Sequence, residues 1–434
     1  MSSNINYSTY FFAAFDIDKT ALIWYTTFID YCFWRIMMAF ETLTPKGMKI
    51  IIPDMHGKPS AELVPFAVRC PNFIELNDGT LLYFFCMKFG SQKDEEIGGT
   101  VMMRSHDGGK TWGEMQFLCY DGAPCEGGIP IYDKLHDTLI LIARTRHWKP
   151  GYEEDRLLAE DDQILGHTYE RFWMNKSTDG GRTWGDYREI TVKNTPANWT
   201  IQHCPSPGIG IQLEKQKDNR LNGRLIVPCN DASLNNGKNE FRAHLIVSDD
   251  FGESWRVAAL ENYLGASESV IVERGDGVLV YNCRNQSGFP ANQRIQSFSY
   301  DGGDTLDESA TVDTLFDPLC HAGFAIAEVD GKEYIFFTSP TGALGAATDY
   351  FRTGTPQHWG VREALMLYAS SDGGKTYKAI KQVCDKGVFA AYSALCVTKG
   401  GKLLCAWESG PEIGLYRDIK YATFDIDELI KLCD

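Results

Sequence analysis

The sequence lacks several features that would place it in other classes of protein. Its 434 residues include 42 basic and 58 acidic side chains, a formal net charge of −16, so there is no excess of positive charge. Binding to nucleic acid needs a basic face that neutralises phosphates, and this composition excludes nucleic acid as an expected partner. The thirteen cysteines form no Cys-x-x-Cys pair and the histidines show no ligand spacing, which argues against a zinc site.

A long uninterrupted apolar run is also missing. The most apolar stretch, residues 20–40, contains Asp30 and Arg35, and two charges at mid-span cost about 5–7 kcal/mol on insertion scales. No basic segment followed by an apolar core marks an ordinary signal peptide. We therefore expect residues 1–45 to be an N-terminal extension, either a packed segment or an atypical targeting or anchoring segment, and residues 46–434 to be one domain.

What the sequence does contain is a short motif that recurs five times. Ser105–Trp112 reads Ser-His-Asp-Gly-Gly-Lys-Thr-Trp, and every copy places an aspartate two residues after a serine. These aspartates are Asp107, Asp179, Asp250, Asp301 and Asp372, at intervals of 72, 71, 51 and 71 residues. A recurring interval of this kind indicates a repeat architecture. We call these five copies the Asp boxes.

Each Asp box follows a short apolar segment and contains a tight turn. Gly99–Arg104 precedes the first box, and His244–Val247 precedes the third. Asp-Gly and Gly-Gly steps favour tight turns, which the Asp and Ser/Thr side chains can hold by hydrogen bonds to the backbone. A repeat of about 70 residues accommodates one four-stranded blade. The boxes therefore predict an all-β fold, a six-bladed β-propeller, in which they serve the scaffold and not the chemistry.

Several stretches between the boxes match, in order, the motifs of one enzyme family. Phe66–Phe73 contains Arg-Cys-Pro where that family has Arg-Ile-Pro, with Cys70 in place of the isoleucine. The other matching stretches are Pro207–Leu213, Gly223–Pro228, Ala266–Asn285, Ala391–Leu395 and Trp407–Gly410. On these motifs the chain resembles the sialidases, the neuraminidases of glycoside hydrolase family 33, over residues 60–425.

The resemblance implies a triad of arginines that binds a carboxylate. Arg69, Arg284 and Arg362 stand at the three arginine positions of the family. A sialic acid has a carboxylate on its anomeric carbon, and planar bidentate guanidinium groups bind such an anion better than lysine does. The alternative, that these are arginines of structural salt bridges, is disfavoured because all three coincide with family motifs.

The same resemblance assigns the reacting groups. Tyr392 matches the nucleophile, Glu268 the base that activates it, and Asp94 the general acid/base. A neutral phenol avoids the repulsion that a carboxylate nucleophile would meet at an anionic centre, and sialidases are known exceptions to the two-carboxylate pattern. In isolation a strand tyrosine is usually a core residue, and Glu95 or Glu96 would be alternatives to Asp94 as the acid/base.

Three further positions modify this picture. Glu408 is expected to orient Arg69 through a carboxylate–guanidinium bond. Lys88 stands where the family often has another arginine, so the positive charge is kept but the planar guanidinium group with its paired donors is lost. We expect Lys88 among the substrate-binding residues. Cys125–Pro130 replaces the Asn-Pro or Asp-Pro of many members. Contacts to the glycerol, O4 and N-acetyl groups are therefore expected to differ.

The resemblance implies an exo-α-sialidase that hydrolyses terminal α-linked sialic acids of glycoproteins, glycolipids and oligosaccharides with retention, through a tyrosyl intermediate, with no cofactor and no obligate metal. The expected partners are sialylated glycoconjugates. A trans-sialidase, an intramolecular trans-sialidase and a non-catalytic sialoglycan-binding propeller are the alternatives. Activity on external glycans favours secretion or the cell surface, whereas the missing signal peptide and the thirteen cysteines point the other way. The compartment and the oligomeric state stay open.

Overall fold

The structure is a computed structural model of the chain. It describes residues 41–42, 50–53, 59–63, 65–94, 96–119, 125–152, 167–235, 238–286, 293–341 and 362–433. Residues 42–434 form one unit and residues 1–41 another. The N-terminal extension expected at residues 1–45 lies outside the described residues apart from Glu41 and Thr42, so its nature stays a prediction.

The described residues outside loops lie almost entirely in β-strands. Three short strands come first, β1 (Glu41–Thr42), β2 (Ile50–Pro53) and β3 (Pro59–Leu63), and β2 pairs with β3 as a hairpin. Sheet I contains β4 (Ala67–Glu75), β5 (Leu81–Lys88), β6 (Gly98–Ser105) and β7 (Gln116–Cys119). Sheet II contains β8 (Cys125–Asp133), β9 (Thr138–Trp148), β10 (Thr168–Ser177) and β11 (Arg188–Ile190).

Sheets III to VI follow along the chain. Sheet III contains β12 (Val192–Lys193), β13 (Trp199–Pro205), β14 (Ile211–Gln212), β15 (Leu225–Asn235), β16 (Lys238–Ser248) and β17 (Trp255–Leu260). Sheet IV contains β18 (Ala266–Glu273), β19 (Leu279–Asn285), β20 (Gln293–Ser299) and β21 (Ala310–Phe316). Sheet V contains β22 (Gly323–Val329), β23 (Lys332–Pro340), β24 (Leu365–Ser370) and β25 (Lys378–Gln382). Sheet VI contains β26 (Ser393–Val397), β27 (Lys402–Ser409) and β28 (Asp418–Asp425).

The six sheets are the blades of a propeller. In sheets I, II, IV, V and VI, consecutive strands pair antiparallel. In sheet III, β13 and β14 both pair with β15, and β12 pairs parallel with β17. Neighbouring blades contact each other around the ring, with β26 returning to β4 to close it. Apolar side chains fill the space between blades, for example Tyr83 of sheet I with Leu404 and Tyr421 of sheet VI. Closing the ring leaves only short protected strand edges. The predicted six-bladed β-propeller is confirmed.

The Asp boxes occupy equivalent turns in five blades, between β6 and β7, β10 and β11, β16 and β17, β20 and β21, and β24 and β25. In the first box the Ser105 hydroxyl donates to Asp107 at 2.8 Å and accepts the Gly109 N–H at 2.9 Å. The Thr111 hydroxyl donates to the same carboxylate at 2.6 Å. Hydrogen bonds from Thr111 and Ser105 lower the pKa of Asp107 below its usual value. The equivalent Ser–Asp–Thr/Ser bonds recur in the other four boxes.

Removing a serine of this motif should destabilise the propeller. In Ser105→Ala the buried Gly109 N–H loses its acceptor, and an unsatisfied buried donor costs about 1–3 kcal/mol. We expect urea unfolding to report a loss of that size, because the side chain itself contributes little apolar area. The matched control is Ser371→Ala, at an exposed serine in the fifth box, which should stay within about 0.5 kcal/mol of the parent protein. Equal stability of the two variants would contradict the role given to Ser105.

Helix is scarce in the described part of the chain. A 3-10 turn spans Asn219–Leu221, and α1 (Ile426–Ile430) begins after Asp425, whose side chain accepts the Asp427 N–H as an N-cap. Among the residues that the structure describes, no helix has the length and apolar character needed to cross a membrane.

Candidate active site

The side chains expected to do chemistry meet at one end of the ring. They come from Arg69 (β4), Asp94 (β5–β6 loop), Glu268 (β18), Arg284 (β19), Arg362 (before β24), Tyr392 (before β26) and Glu408 (β27). In sheet I this end is opposite the Asp box, since Lys88 pairs with Gly98 at one end of the β5–β6 ladder and Leu81 with Ser105 at the other. A pocket open to solvent is lined by Arg69, Cys70, Lys88, Asp94, Cys204, Pro205, Pro207, Glu268 and Tyr392.

The centre of the site is a buried triangle of Tyr392, Glu268 and Arg284. The Tyr392 hydroxyl donates to Glu268 Oε1, and Arg284 Nη1 donates both to Glu268 Oε2 and to Tyr392 Oη, each at 2.9 Å. Glu268 and Arg284 lie on paired strands of one blade, and the third member arrives from sheet VI, 108 residues beyond Arg284. The phenol is thus in direct contact with a carboxylate.

The electrostatics of the triangle suit proton transfer from Tyr392 to Glu268. Burial and the Glu268 carboxylate raise the pKa of the Tyr392 phenol well above its usual value of about 10, so the phenol is protonated at rest. Burial is the largest influence on the pKa of Glu268 and raises it, but Arg284 and the hydrogen bond from Tyr392 act with the other neighbouring groups to lower the pKa overall. Glu268 is therefore an ionised carboxylate, ready to accept the phenolic proton.

Glu408 contacts Arg69, the residue that it is expected to orient. Its Oε1 accepts from Arg69 Nε at 2.7 Å and from the Cys70 N–H at 2.8 Å. Cys70 has φ of 57°, and the pairing of β4 with β5 slips between Arg69 and Asn72, the signature of a bulge that redirects a side chain. Burial lowers the pKa of Arg69, but the neighbouring carboxylates of Glu408 and Asp94 raise it well above its ordinary value. The guanidinium is fixed in position and in charge.

Arg362 is positioned by a residue that the sequence did not reveal. Its Nη1 donates to the Tyr416 hydroxyl at 2.7 Å, and its Nη2 donates to the Leu319 carbonyl. The Tyr416 ring also lies 4.2 Å below the Arg69 guanidinium carbon, a cation–π contact. Tyr416 therefore supports two of the three arginines. It lies in the β27–β28 loop, outside every family motif quoted above, which is why motif matching missed it.

A second residue that the sequence did not reveal is His321, which is buried near Tyr392. Its ring centroid lies 5.8 Å from that of Tyr392. Burial lowers the pKa of His321 to about 3, so the imidazole is neutral at physiological pH and adds no charge next to Glu268. The sequence signal is weak, since a single histidine after Leu319-Cys320 resembles any core histidine.

Of Asp94 and Glu96, the two of these acidic residues that the structure describes, Asp94 is the one that contacts Arg69. Its Oδ1 lies 3.3 Å from Arg69 Nη1, and 68% of its side chain is exposed at the pocket. Glu96 is buried and its carboxylate accepts the Ile97 N–H at 3.1 Å, so it is engaged within the loop. Glu95 lies outside the described residues. This geometry favours Asp94 over Glu96 for the acid/base role, which stays a prediction.

The site as a whole combines four cations, Arg69, Arg284, Arg362 and Lys88, with three carboxylates, Asp94, Glu268 and Glu408. These four positive and three negative side chains sum to a charge of +1, whereas the formal charge of the whole chain is −16. An anion is therefore attracted to this site and not to the rest of the surface. Within the described residues, no group of three or more His, Cys, Asp or Glu side chains is arranged to hold a metal ion.

A propeller with Asp boxes and a buried site built from arginines and a tyrosine has the features that the resemblance to sialidases predicts. Comparison with known proteins agrees with that resemblance. Residues 79–405 match the BNR repeat-like domain family, to which the chain belongs. Among sequence relatives, the Bacteroides fragilis sialidase is 26% identical over 73% of this chain and 62% of its own length. The Paraclostridium sordellii sialidase is 24% identical over 84% and 86%. The resemblance to sialidases is confirmed.

Solved structures show the same fold. Trypanosoma rangeli sialidase superposes with a TM-score of 0.66 at 18% identity, covering 91% of this chain and 60% of its own. The intramolecular trans-sialidase of Ruminococcus gnavus gives 0.61 at 18% identity, covering 83% and 95%. The chain spans less than two thirds of the B. fragilis and T. rangeli proteins. At this level of identity the structural similarity establishes the propeller fold. Any argument about activity rests on the geometry of the site.

Proposed function

We propose that the protein is a retaining exo-α-sialidase that removes terminal α-linked sialic acids from glycoconjugates. The observation that carries this proposal is the triangle in which the Tyr392 hydroxyl donates to Glu268 Oε1 while Arg284 donates to Glu268 Oε2 and to Tyr392 Oη, each at 2.9 Å. A phenol paired with an ionised carboxylate beside three arginines suits nucleophilic attack on an anionic sugar. A lectin that only bound sialic acid would have no use for the phenol–carboxylate pair.

The three arginines would bind the sialic acid carboxylate. Arg69 and Arg362 both lie near the Tyr392 ring, with their guanidinium carbons 5.0 and 5.4 Å from its centroid, and Arg284 contacts its oxygen. The three groups therefore converge around the nucleophile from different blades. Planar guanidinium groups offer a carboxylate paired hydrogen bonds that fix its orientation, and with it the anomeric carbon attached to it.

In the first step, the Tyr392 oxygen would attack the anomeric carbon while Glu268 takes the phenolic proton. Asp94, in its protonated form, would give its proton to the departing glycosidic oxygen as that bond breaks. In the second step Asp94 would take a proton from water, the water oxygen would bond to the anomeric carbon, and the phenolate would leave and regain its proton from Glu268. Two displacements at one carbon give net retention. The arginines supply charge stabilisation throughout.

The products formed from 3′-sialyllactose test this proposal. We expect free sialic acid and lactose, with the α-anomer appearing first in proton NMR, because two displacements restore the starting configuration. The same reaction with excess lactose acceptor should not change the yield of free sialic acid. Early β-anomer would exclude retention. An anhydro sugar would replace hydrolysis by an intramolecular trans-sialidase, and a lower yield of free sialic acid in excess lactose would replace it by an intermolecular one. Binding without any release would establish a sialoglycan-binding propeller.

A further inference from the structure

Lys88 is buried at the base of the loop that holds Asp94. Only 2% of its surface is exposed although it lines the pocket. Its ammonium group donates to the Asp94 carbonyl at 3.0 Å and to the Glu96 carbonyl at 3.4 Å. The backbone of Lys88 pairs with Gly98, so the side chain reaches back across the β5–β6 loop of which it is the first anchor. One ammonium thus ties two carbonyl groups of this loop.

We propose that Lys88 is a positioning residue for the general acid/base, and that its main task is to fix the loop bearing Asp94 and not to bind substrate. This inference rests on the proposed function and revises the substrate-binding role that its position in the family motif predicts. An ammonium has three N–H donors on a tetrahedral centre, which suits two carbonyls at different angles. An arginine, with its planar fork, would match a substrate oxygen pair better than this arrangement.

The β5–β6 loop needs the contacts from Lys88 because the carboxylate of Asp94 is exposed and its own contacts do little to hold it in place. The Asp94 side chain is 68% exposed and contacts Arg69 Nη1 at 3.3 Å, a long and solvent-screened interaction. The carbonyl of the same residue is held by Lys88, one backbone unit away from the carboxylate. Fixing the backbone of Asp94 therefore fixes the point from which its carboxyl group must reach the leaving oxygen, and small displacements of a general acid reduce catalysis strongly.

This role predicts an effect that depends on the leaving group. A 4-methylumbelliferyl leaving group departs with little protonation, whereas the alcohol of lactose requires it. In Lys88→Met we expect kcat for 3′-sialyllactose to fall by about 10²-fold, at the lower end of general-acid contributions, while kcat for 4-methylumbelliferyl sialoside falls by less than about fivefold. KM for both substrates should change little. Lys88→Arg, which retains donors, should give a ratio of the two kcat values nearer to that of the parent protein.

Lys93→Met is the matched control, since Lys93 is exposed on the same loop and loses the same charge. It should leave both substrates unaffected. Equal losses on the two substrates in Lys88→Met, with a raised KM, would overturn the proposal in favour of direct substrate binding. Unchanged kinetics in that variant would overturn it as well.

Hydrogen exchange separates this proposal from the proposed function, because it requires no activity. We expect backbone amides of the β5–β6 loop to exchange about tenfold faster in Lys88→Met than in Lys93→Met, as loss of buried hydrogen bonds lowers local stability. If the parent protein released no sialic acid, the proposed function would fail while faster exchange still supported the anchoring role. Unaltered exchange in Lys88→Met would reject the anchoring role whatever the activity.

Discussion

Tyr392→Phe is expected to lower kcat by about 10⁴-fold or more on any sialoside, the scale seen when a covalent nucleophile is removed. The phenol oxygen is the atom that contacts both Glu268 and Arg284, and phenylalanine keeps the ring while deleting only that atom. Glu268 then has no proton to accept and the anomeric carbon has no nucleophile. Release of 4-methylumbelliferone, a leaving group that needs little protonation by Asp94, measures this loss directly.

Binding should survive the same substitution. The three arginines remain, so the affinity for sialic acid measured by calorimetry should change by less than about tenfold, or about 1.4 kcal/mol. Tyr300→Phe provides the matched control, because Tyr300 is 69% exposed and should be silent in both measurements. Full activity of Tyr392→Phe would remove Tyr392 from the mechanism. Loss of binding together with activity would indicate damage to the site.

Arg284→Lys is expected to reduce kcat/KM by about 10²- to 10³-fold, as loss of one preorganised charged donor does elsewhere. Arg284 Nη1 donates to both Glu268 and Tyr392, and under the proposed function the rest of the guanidinium would bind the substrate carboxylate. A lysine retains the charge but cannot make both sets of contacts from one point. Most of the loss should appear in kcat, since the phenolate that forms in the reaction depends on this contact.

The pH profile should change in the same variant. Arg284 is the strongest influence that lowers the pKa of Glu268, opposing burial, which raises it. Weakening that contact raises the Glu268 pKa, so less carboxylate is ionised at low pH and the acid limb of the kcat profile moves to higher pH. Arg220→Lys, at a fully exposed position bonded to Asp218, should change neither quantity. An unshifted acid limb in Arg284→Lys would contradict the assignment of Glu268 as the base.

The amino-acid sequence by itself determined the scaffold, because the signals for it are local. Each Asp box closes its turn with bonds between residues no more than four positions apart, such as Ser105 Oγ to the Gly109 N–H. The spacing of the boxes then sets the length of a blade. Such short-range geometry can be predicted without knowledge of the rest of the chain. The predicted propeller was correct for this reason.

Only part of the candidate site could be predicted from the sequence. Arg69 and Glu408 were paired in the prediction because both lie in family motifs, and the structure joins them at 2.7 Å across 339 residues. Tyr416 supports Arg69 and Arg362 from outside any motif, and its sequence context offers nothing that distinguishes it from other loop tyrosines. Contacts between blades depend on how the ring closes, which no local pattern encodes.

Lys88 shows most clearly what only the tertiary structure decided. From the sequence, its identity and motif position indicated a positive charge near the substrate. The direction of its ammonium group depends on the path of the β5–β6 loop, whose carbonyls at Asp94 and Glu96 turn inward to meet it. A flexible side chain takes the partner that the surrounding backbone presents, and backbone direction in an irregular loop is set by packing over the whole fold. The residue type determines the positive charge of Lys88, and the path of the β5–β6 loop determines which groups its ammonium contacts.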